Sequence, residues 1–289
     1  MTGASGFIGR RVLAAVPPGH YQRVIALSRA PHADSSTVTW VRGGLRESDS
    51  WSRYLSADTI VLHLAAATGA ASAEANRIVN VEGTEALVRA ARERGARGLI
   101  FVSSIAARFK PDRHYPYAAA KRAAEKAVAI GGVPHLIVRP AVVLGPGAPI
   151  LARLRSLAGG PVILAIGGGS AKVQPVHVDD LARALLALAD RDIFNGEVIE
   201  AGGPETLTMT DLLRRTRVAM GKSHAPVVPL PYLPMRLLLV GLSALLGRRA
   251  PVTPGQISSF VQHGTTQPSA AWAQVRGPMR GIDDMLRGT

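Results

Sequence analysis

The sequence predicts an α/β fold built on a doubly wound parallel sheet. Through the first half, short β-branched runs alternate with longer amphipathic stretches, the pattern of strands linked by crossover helices. A glycine turn opens the chain and leads straight into a helical pattern. With 289 residues, 47% of them hydrophobic, the chain can bury a core of that size.

Taken in order, a helix is expected over residues 9–16, directly after the turn, and strands over 23–27 and 38–41. A strand over 59–64 precedes a helix over 80–94, in which Val81, Leu87, Val88 and Ala91 fall near one face. Glu82, Glu85, Arg89 and Arg92 are left for solvent. A buried strand over 99–102, a helix over 117–130 and a strand over 136–138 follow. A further helix over 178–189 leads to a strand over 197–200.

After about residue 145, glycine and proline punctuate the chain and regular alternation fades. That portion is expected to be smaller and substrate-facing, without being an independent domain. Its most apolar stretch, 237–246, lies between Pro234 and Arg236 on one side and Arg248 and Arg249 on the other. It falls short of the roughly 20 residues a membrane span needs. A buried or amphipathic helix is expected, with surface contact between 234–249 and a membrane as the lesser alternative.

Composition excludes several classes. The formal charge is +14, yet the arginines are spread along the chain and only 4% of residues are aromatic, so no nucleic-acid partner is expected. Cysteine is absent, which removes disulfides, thiolate nucleophiles and cysteine-bound zinc and agrees with a cytoplasmic setting. His63, His114 and His177 lack metal-ligand spacing, so they are expected to pack as ordinary histidines and no metal is expected. No basic stretch followed by an apolar run begins the chain, so no secretory leader is expected.

In the turn Thr2-Gly3-Ala4-Ser5-Gly6-Phe7-Ile8-Gly9, glycines three apart let a pyrophosphate approach the backbone and aim helix amides at its charge. The spacing G-x-x-G-x-x-G differs from the broader G-x-G-x-x-G fingerprint. Arg29 lies about twenty residues beyond the last glycine, where an acidic residue would bind the ribose hydroxyls of NAD and an arginine the extra phosphate of NADP. NADP(H) is therefore favoured over NAD(H). A hydrophobic strand of several residues is expected ahead of Gly3, where Met1 and Thr2 stand; a late start at Met1 and an incomplete central strand both remain open.

The strand ending Val102-Ser103-Ser104 is followed, thirteen residues after Ser104, by Tyr117-Ala118-Ala119-Ala120-Lys121. Residues four apart share a helix face, so an ammonium at Lys121 can stabilise a Tyr117 phenolate and let it exchange a proton with an alcohol. Tyr115 has Ala119 where a lysine would be needed, which favours Tyr117.

Together these features resemble the extended or atypical short-chain dehydrogenase/reductase family, of NAD-dependent epimerase/dehydratase type. His63-Leu64-Ala65-Ala66, Asn80-Val81-Glu82-Gly83-Thr84, Arg139-Pro140, Gly145-Pro146-Gly147 and Val176-His177-Val178-Asp179-Asp180 extend the likeness over most of the chain. The resemblance implies a Rossmann-like region over 1–145, completed by about 173–200, with 146–289 mainly substrate-facing. It implies Ser104, Tyr117 and Lys121 as catalytic residues, with Ser103 structural. Cofactor contacts are expected at Gly3, Ser5, Gly6, Phe7, Ile8, Gly9, Arg29, Leu64, Ala65, Ala66, Tyr117, Lys121 and Pro140. The acidic pair Asp179-Asp180 is expected to cap the helix that follows.

The leading expectation is an NAD(P)-dependent oxidoreductase resembling nucleotide-sugar epimerases, acting on a small molecule and forming a homodimer. Ile105 and Ala106 stand where a dehydratase would carry acidic residues. Lys172-Val173-Gln174-Pro175 lacks the arginine that would hold a sugar diphosphate. A dehydrogenase or reductase of a more apolar, sterol-like alcohol or ketone is the alternative, and a non-catalytic cofactor-binding scaffold or sensor is the reading from a different class.

Overall fold

The structure, a computed structural model, describes residues 1–69, 71–246 and 254–287. Its strands are β1 (Val24–Ser28), β2 (Val38–Arg42), β3 (Ile60–His63), β4 (Gly98–Val102), β5 (His135–Pro140) and β6 (Val143–Leu144). They continue as β7 (Ile163–Ile166), β8 (Lys172–Val173), β9 (Val176–His177), β10 (Asn195–Ala201), β11 (Leu207–Thr208) and β12 (Val227–Leu230). The helices are α1 (Phe7–Ala15), α2 (Ser48–Trp51), α3 (Ala73–Asn76), α4 (Gly83–Glu93), α5 (Pro116–Ile130) and α6 (Leu151–Ala158). After these come α7 (Val178–Asp190), α8 (Met209–Ala219), α9 (Tyr232–Leu246), α10 (Pro254–Ser258), α11 (Ala270–Val275) and α12 (Ile282–Arg287).

The main sheet runs β2, β1, then Met1–Thr2, then β3, β4, β5 and β10, all parallel. In the slot where a central strand is expected, Leu27 N donates to Met1 O (2.9 Å), Thr2 N to Leu62 O (3.0 Å) and Leu64 N to Thr2 O (3.2 Å). Side chains alternate across β4 with the period of two that a strand imposes. Ile100 and Val102 enter the core under α1, α7 and α11, beside Val12, Leu181, Leu185 and Trp272. Leu99 and Phe101 enter the opposite core under α4 and α5, beside Leu87, Ala91, Ala124 and Val128. Helices thus cover both faces, which is why these strands read as near-continuous apolar runs.

The predicted sheet strands and their helices lie within three residues of their expected ends. The helix expected over 80–94 differs in form: Arg77–Glu82 winds as a π-helix before α4 continues. After β5 the pairs β6–β9, β7–β12 and β8–β11 organise a second core with α6, α8 and α12, built on Leu144, Leu154, Leu212 and Met285. The apolar stretch forms α9, but it is neither enclosed nor amphipathic: Leu233, Leu237 and Leu238 face outward at 67%, 72% and 70% exposure. Arg248 and Arg249, the basic residues expected to flank it, lie outside the described residues. Among those described, no helix is long and apolar enough to cross a membrane.

Candidate active site

The C-terminal ends of Met1–Thr2, β1, β3, β4 and β5 open on one edge of the sheet, and the predicted site residues gather there. Gly3 has φ +66°, and a Cβ on it would lie 2.6 Å from the backbone of Leu64 and Ala65. A Cβ on Gly9 would meet Gly3 O at 2.1 Å. The turn is therefore folded tightly against the end of β3, and only glycine satisfies it at these two positions. Gly6 is the N-cap of α1 and no side chain caps the helix, nor does an acidic residue enter its first turn. Uncapped first-turn amides at Phe7, Ile8 and Gly9, with the helix dipole behind them, fit a pyrophosphate. Phe7 and Ile8 turn their side chains into the two cores, and the Arg10 guanidinium folds back on Ser5 O (3.0 Å).

Leu64, Ala65 and Ala66 line the opposite side of this turn, partly buried. Asn80 clamps the segment that carries them: its amide donates to Ala67 O (2.9 Å) and its oxygen accepts from Ala67 N (2.7 Å). The π winding that aims Asn80 inward is a local distortion often found at functional sites. Behind it, Thr84 donates to Asn80 O (2.8 Å), so Thr84 Oγ1 accepts from His63 Nε2 (2.9 Å) and His63 Nδ1 accepts from Thr2 (2.6 Å). His63 is fully buried, and burial lowers its pKa to about 3, leaving it neutral.

Arg29 follows β1 and is exposed, as is Arg42 at the end of the neighbouring strand. Neither meets a carboxylate among the described residues. Ser28, between the two strand ends, holds Ala30 N (3.2 Å) and His32 Nε2 (3.1 Å) on its hydroxyl.

Helix α5 is alanine-rich, with strong intrinsic propensity, and begins with Pro116 in its first turn, where a missing N–H costs nothing. One turn in, Tyr117 and Lys121 share its inward face. Ser104, at the end of β4, faces the Tyr117 phenol and acts to lower its pKa. Ser104 Oγ accepts from Ala106 N (3.2 Å), which leaves its proton free to donate. Lys121 is buried beneath them; its Nζ donates to Val102 O (2.9 Å) and lies 4.8 Å from the Phe101 ring centroid and 6.0 Å from that of Tyr117. Burial lowers the Lys121 pKa to about 8, with Glu125 opposing the shift.

One electrostatic expectation is corrected. The sequence suggests that Lys121 depresses the Tyr117 pKa, but burial of the phenol raises it and outweighs the lowering by Ser104. The group is a protonated phenol held ready to donate. Tyr115 is the N-cap residue of α5, and its ring packs toward Phe109 (centroids 6.4 Å apart). Pro140, at the end of β5, is buried beside Ala141, whose N–H donates to Ala201 O (2.9 Å).

A buried ionic chain beneath these residues is not visible in the local motifs. Ser103 donates to Glu125 (2.5 Å), which receives Arg139 on both oxygens (2.8 and 2.6 Å). Arg139 lies 3.6 Å from Glu200, which in turn holds Arg108 (2.5 Å) and Gln267 N (2.7 Å). The spacing of Glu125, one turn beyond Lys121, was the available signal; its partner on β5 was not. Ser103 is thereby engaged away from the open edge while Ser104 faces it.

A second correction concerns α7. Its N-cap is His177, whose Nδ1 accepts from Asp179 N (3.1 Å), rather than the acidic pair. Asp180 is buried, and its carboxylate accepts from the Arg280 guanidinium (2.6 Å) and from Arg280 N (2.8 Å). Asp179 lies 3.6 Å from Arg11.

Similarity to known proteins agrees with this architecture. A ceramide reductase of Caulobacter vibrioides (strain NA1000 / CB15N) is 31% identical over 224 residues, spanning 76% of this chain and 70% of that protein. The crystal structure of gox2253 superposes with a TM-score of 0.75 at 25% identity, over 99% of this chain and 94% of that one. UDP-glucuronic acid 4-epimerase from Bacillus cereus, solved with UDP-glucuronic acid and NAD, superposes with a TM-score of 0.74 at 20% identity, over 99% and 95%; it shares the fold. The family model described as NAD dependent epimerase/dehydratase family matches residues 1–202. That span takes in the glycine turn, the β3 and β4 ends, Tyr117, Lys121 and the helix capped by His177, and so the chain belongs to this family.

Proposed function

We propose that this protein is a nicotinamide-dependent reductase or dehydrogenase acting at a secondary alcohol or ketone of a largely apolar substrate. The observation that carries the reading is the Tyr117 phenol and Ser104 brought together above a buried Lys121, whose Nζ lies 6.0 Å from the Tyr117 ring centroid. In reduction, Tyr117 donates its proton to the carbonyl oxygen as negative charge develops there, and Ser104 donates a second hydrogen bond to the same oxygen. Lys121, cationic below about pH 8, stabilises the phenolate left behind. Oxidation runs the same proton path in reverse. A bound nicotinamide dinucleotide supplies the hydride in one direction and accepts it in the other.

The glycine turn, the uncapped α1 terminus and the clamped Leu64–Ala66 segment fit that cofactor. Arg29 and Arg42, exposed on adjacent strand ends without carboxylate partners, favour NADP(H). An apolar substrate is favoured by the ceramide reductase relative. The nucleotide-sugar alternative rests on the family and on the B. cereus epimerase, the latter a likeness of fold. Gln174, near the position where the sugar diphosphate would need a cation, is committed to Gly203 O (2.8 Å) and Thr266 (2.9 Å).

The test is turnover of a panel of apolar ketones and UDP-sugars with NADPH and NADH. Tyr117→Phe keeps the ring and loses the proton, so activity falls by about 10²–10⁴ with cofactor binding retained. Lys121→Ala weakens cofactor binding as well. Tyr115→Phe is nearly silent. Full activity in Tyr117→Phe refutes the mechanism, and turnover confined to UDP-sugars refutes the substrate class.

A further inference from the structure

We infer that α9 is a membrane-docking face, an in-plane helix that seats Leu233, Leu237 and Leu238 in the surface of an anionic lipid bilayer. One side of the helix is already occupied: Tyr232, Met235 and Leu239 pack on the second core. Its charged residue, Arg236, also turns inward, to Asp112 (3.1 Å) and toward the Tyr232 ring. The other side presents leucines 67–72% exposed, two of them one turn apart and the third adjacent. Val228, 38% exposed on the preceding strand β12, adds a further apolar side chain. A helix apolar on all sides is normally enclosed, and a contiguous exposed patch of this kind marks a surface meant to be covered.

The charge of this part of the chain indicates what covers the helix. Between Asp211 and Asp283 the chain contains no aspartate or glutamate and nine lysines and arginines, with α9 in the middle of that segment. Arg214, Arg215, Arg236 and Arg280 are held by Asp211, Glu205, Asp112 and Asp180, while Lys222 and Arg276 are exposed and meet no carboxylate among the described residues. Two copies meeting through such a segment bring like charge together, whereas anionic headgroups complement it. The helix has 15 residues, too few to span, so an apolar face within a basic segment of the chain corresponds to lying in the interface plane. This face is also tied to the candidate site. Asp112, which holds Arg236, accepts from Tyr115 N on its backbone oxygen (2.9 Å), at the turn from which α5 and Tyr117 begin. The inference stands whether or not the proposed substrate class holds, since vesicle binding is measured without turnover.

The experiment is flotation of the whole protein with phosphatidylcholine vesicles, with and without phosphatidylglycerol. Binding is expected to the anionic vesicles and to be weaker without phosphatidylglycerol. Leu237→Glu with Leu238→Glu, at exposed positions, should leave the melting temperature unchanged. The same pair should weaken vesicle binding by at least about tenfold. A Leu233→Trp variant should show a blue-shifted emission on binding. Failure to float with anionic vesicles overturns the inference, as does equal binding by the double glutamate variant. A leucine-dependent dimer in sedimentation equilibrium also overturns it, because the face then belongs to a second copy.

Discussion

Replacing Glu125 by glutamine removes the carboxylate that ties α5 to β5 beneath the candidate site. The wild-type side chain accepts two bonds from Arg139, at 2.8 and 2.6 Å, and one from Ser103 at 2.5 Å, with only 10% of it exposed. Glutamine keeps one acceptor oxygen but turns an amide N–H₂ toward the guanidinium, donor against donor. Breaking a buried pair by removing one partner costs about 3–5 kcal/mol. Arg139 is 21% exposed and keeps Glu200 at 3.6 Å, so the lower end, about 3 kcal/mol, is expected. In a chain of this size that is a fall of about 6–12 °C in melting temperature. A second readout separates positioning from plain stability. Glu125 opposes the lowering of the Lys121 pKa, so without it Lys121 loses its proton below about 8. The alkaline limb of dinucleotide affinity then moves to lower pH in Glu125→Gln. A melting temperature within about 1 °C of the parent refutes the account of the ion pair. An unmoved alkaline limb refutes the coupling to Lys121.

Three further outcomes are expected. Arg29→Asp should reduce the preference for NADPH over NADH, measured by titration, by about 10- to 100-fold, since a hydrogen bond to a charged group contributes about 1.5–3 kcal/mol; equal affinities in the unmodified protein refute the phosphate contact. His63, held at about 3 by burial first and by the Lys121 charge next, excludes a proton that the unfolded chain binds below its ordinary value near 6.5. Its contribution to stability is therefore complete above that value and is lost as pH falls toward 3, at about 1.4 kcal/mol per pH unit. His63→Gln should flatten the pH dependence of denaturant unfolding in that window, and an identical slope in the two proteins rules the idea out. Gly9→Ala places a Cβ 2.1 Å from Gly3 O, a backbone atom that cannot swing away, so the turn must open. Dinucleotide affinity should drop sharply by calorimetry, and unchanged affinity would mean the turn does not hold the pyrophosphate.

The sheet was legible because its signals are local. Leu99 to Val102 is an unbroken apolar run, the helix faces of α4 and α7 repeat at 3.6 residues, and the glycine turn and Tyr117–Lys121 pair are set by spacings of three and four. Periodicity says nothing about two-residue pairings such as β6 with β9, which is why the second core was read only as a change of pattern. Nor does it show that His177 rather than Asp179 caps α7.

What the sequence by itself determined is which groups stand near one another along a single strand or helix: a pyrophosphate-sized turn, a tyrosine with its lysine, two candidate serines. Tertiary structure decided how those groups behave. Glu125 on α5 engages Ser103 and leaves Ser104 facing the phenol, a choice between neighbours made by a residue 22 positions away. Burial raises the Tyr117 pKa where spacing alone suggests that a lysine lowers it. Arg108 and Glu200 meet across 92 positions, and the leucines of α9 face outward because Tyr232, Met235 and Leu239 already fill the core beneath. The reason is common to all of these. Desolvation and pairing depend on every atom within a few ångströms, and in a parallel sheet most of those atoms come from strands and helices distant in the chain.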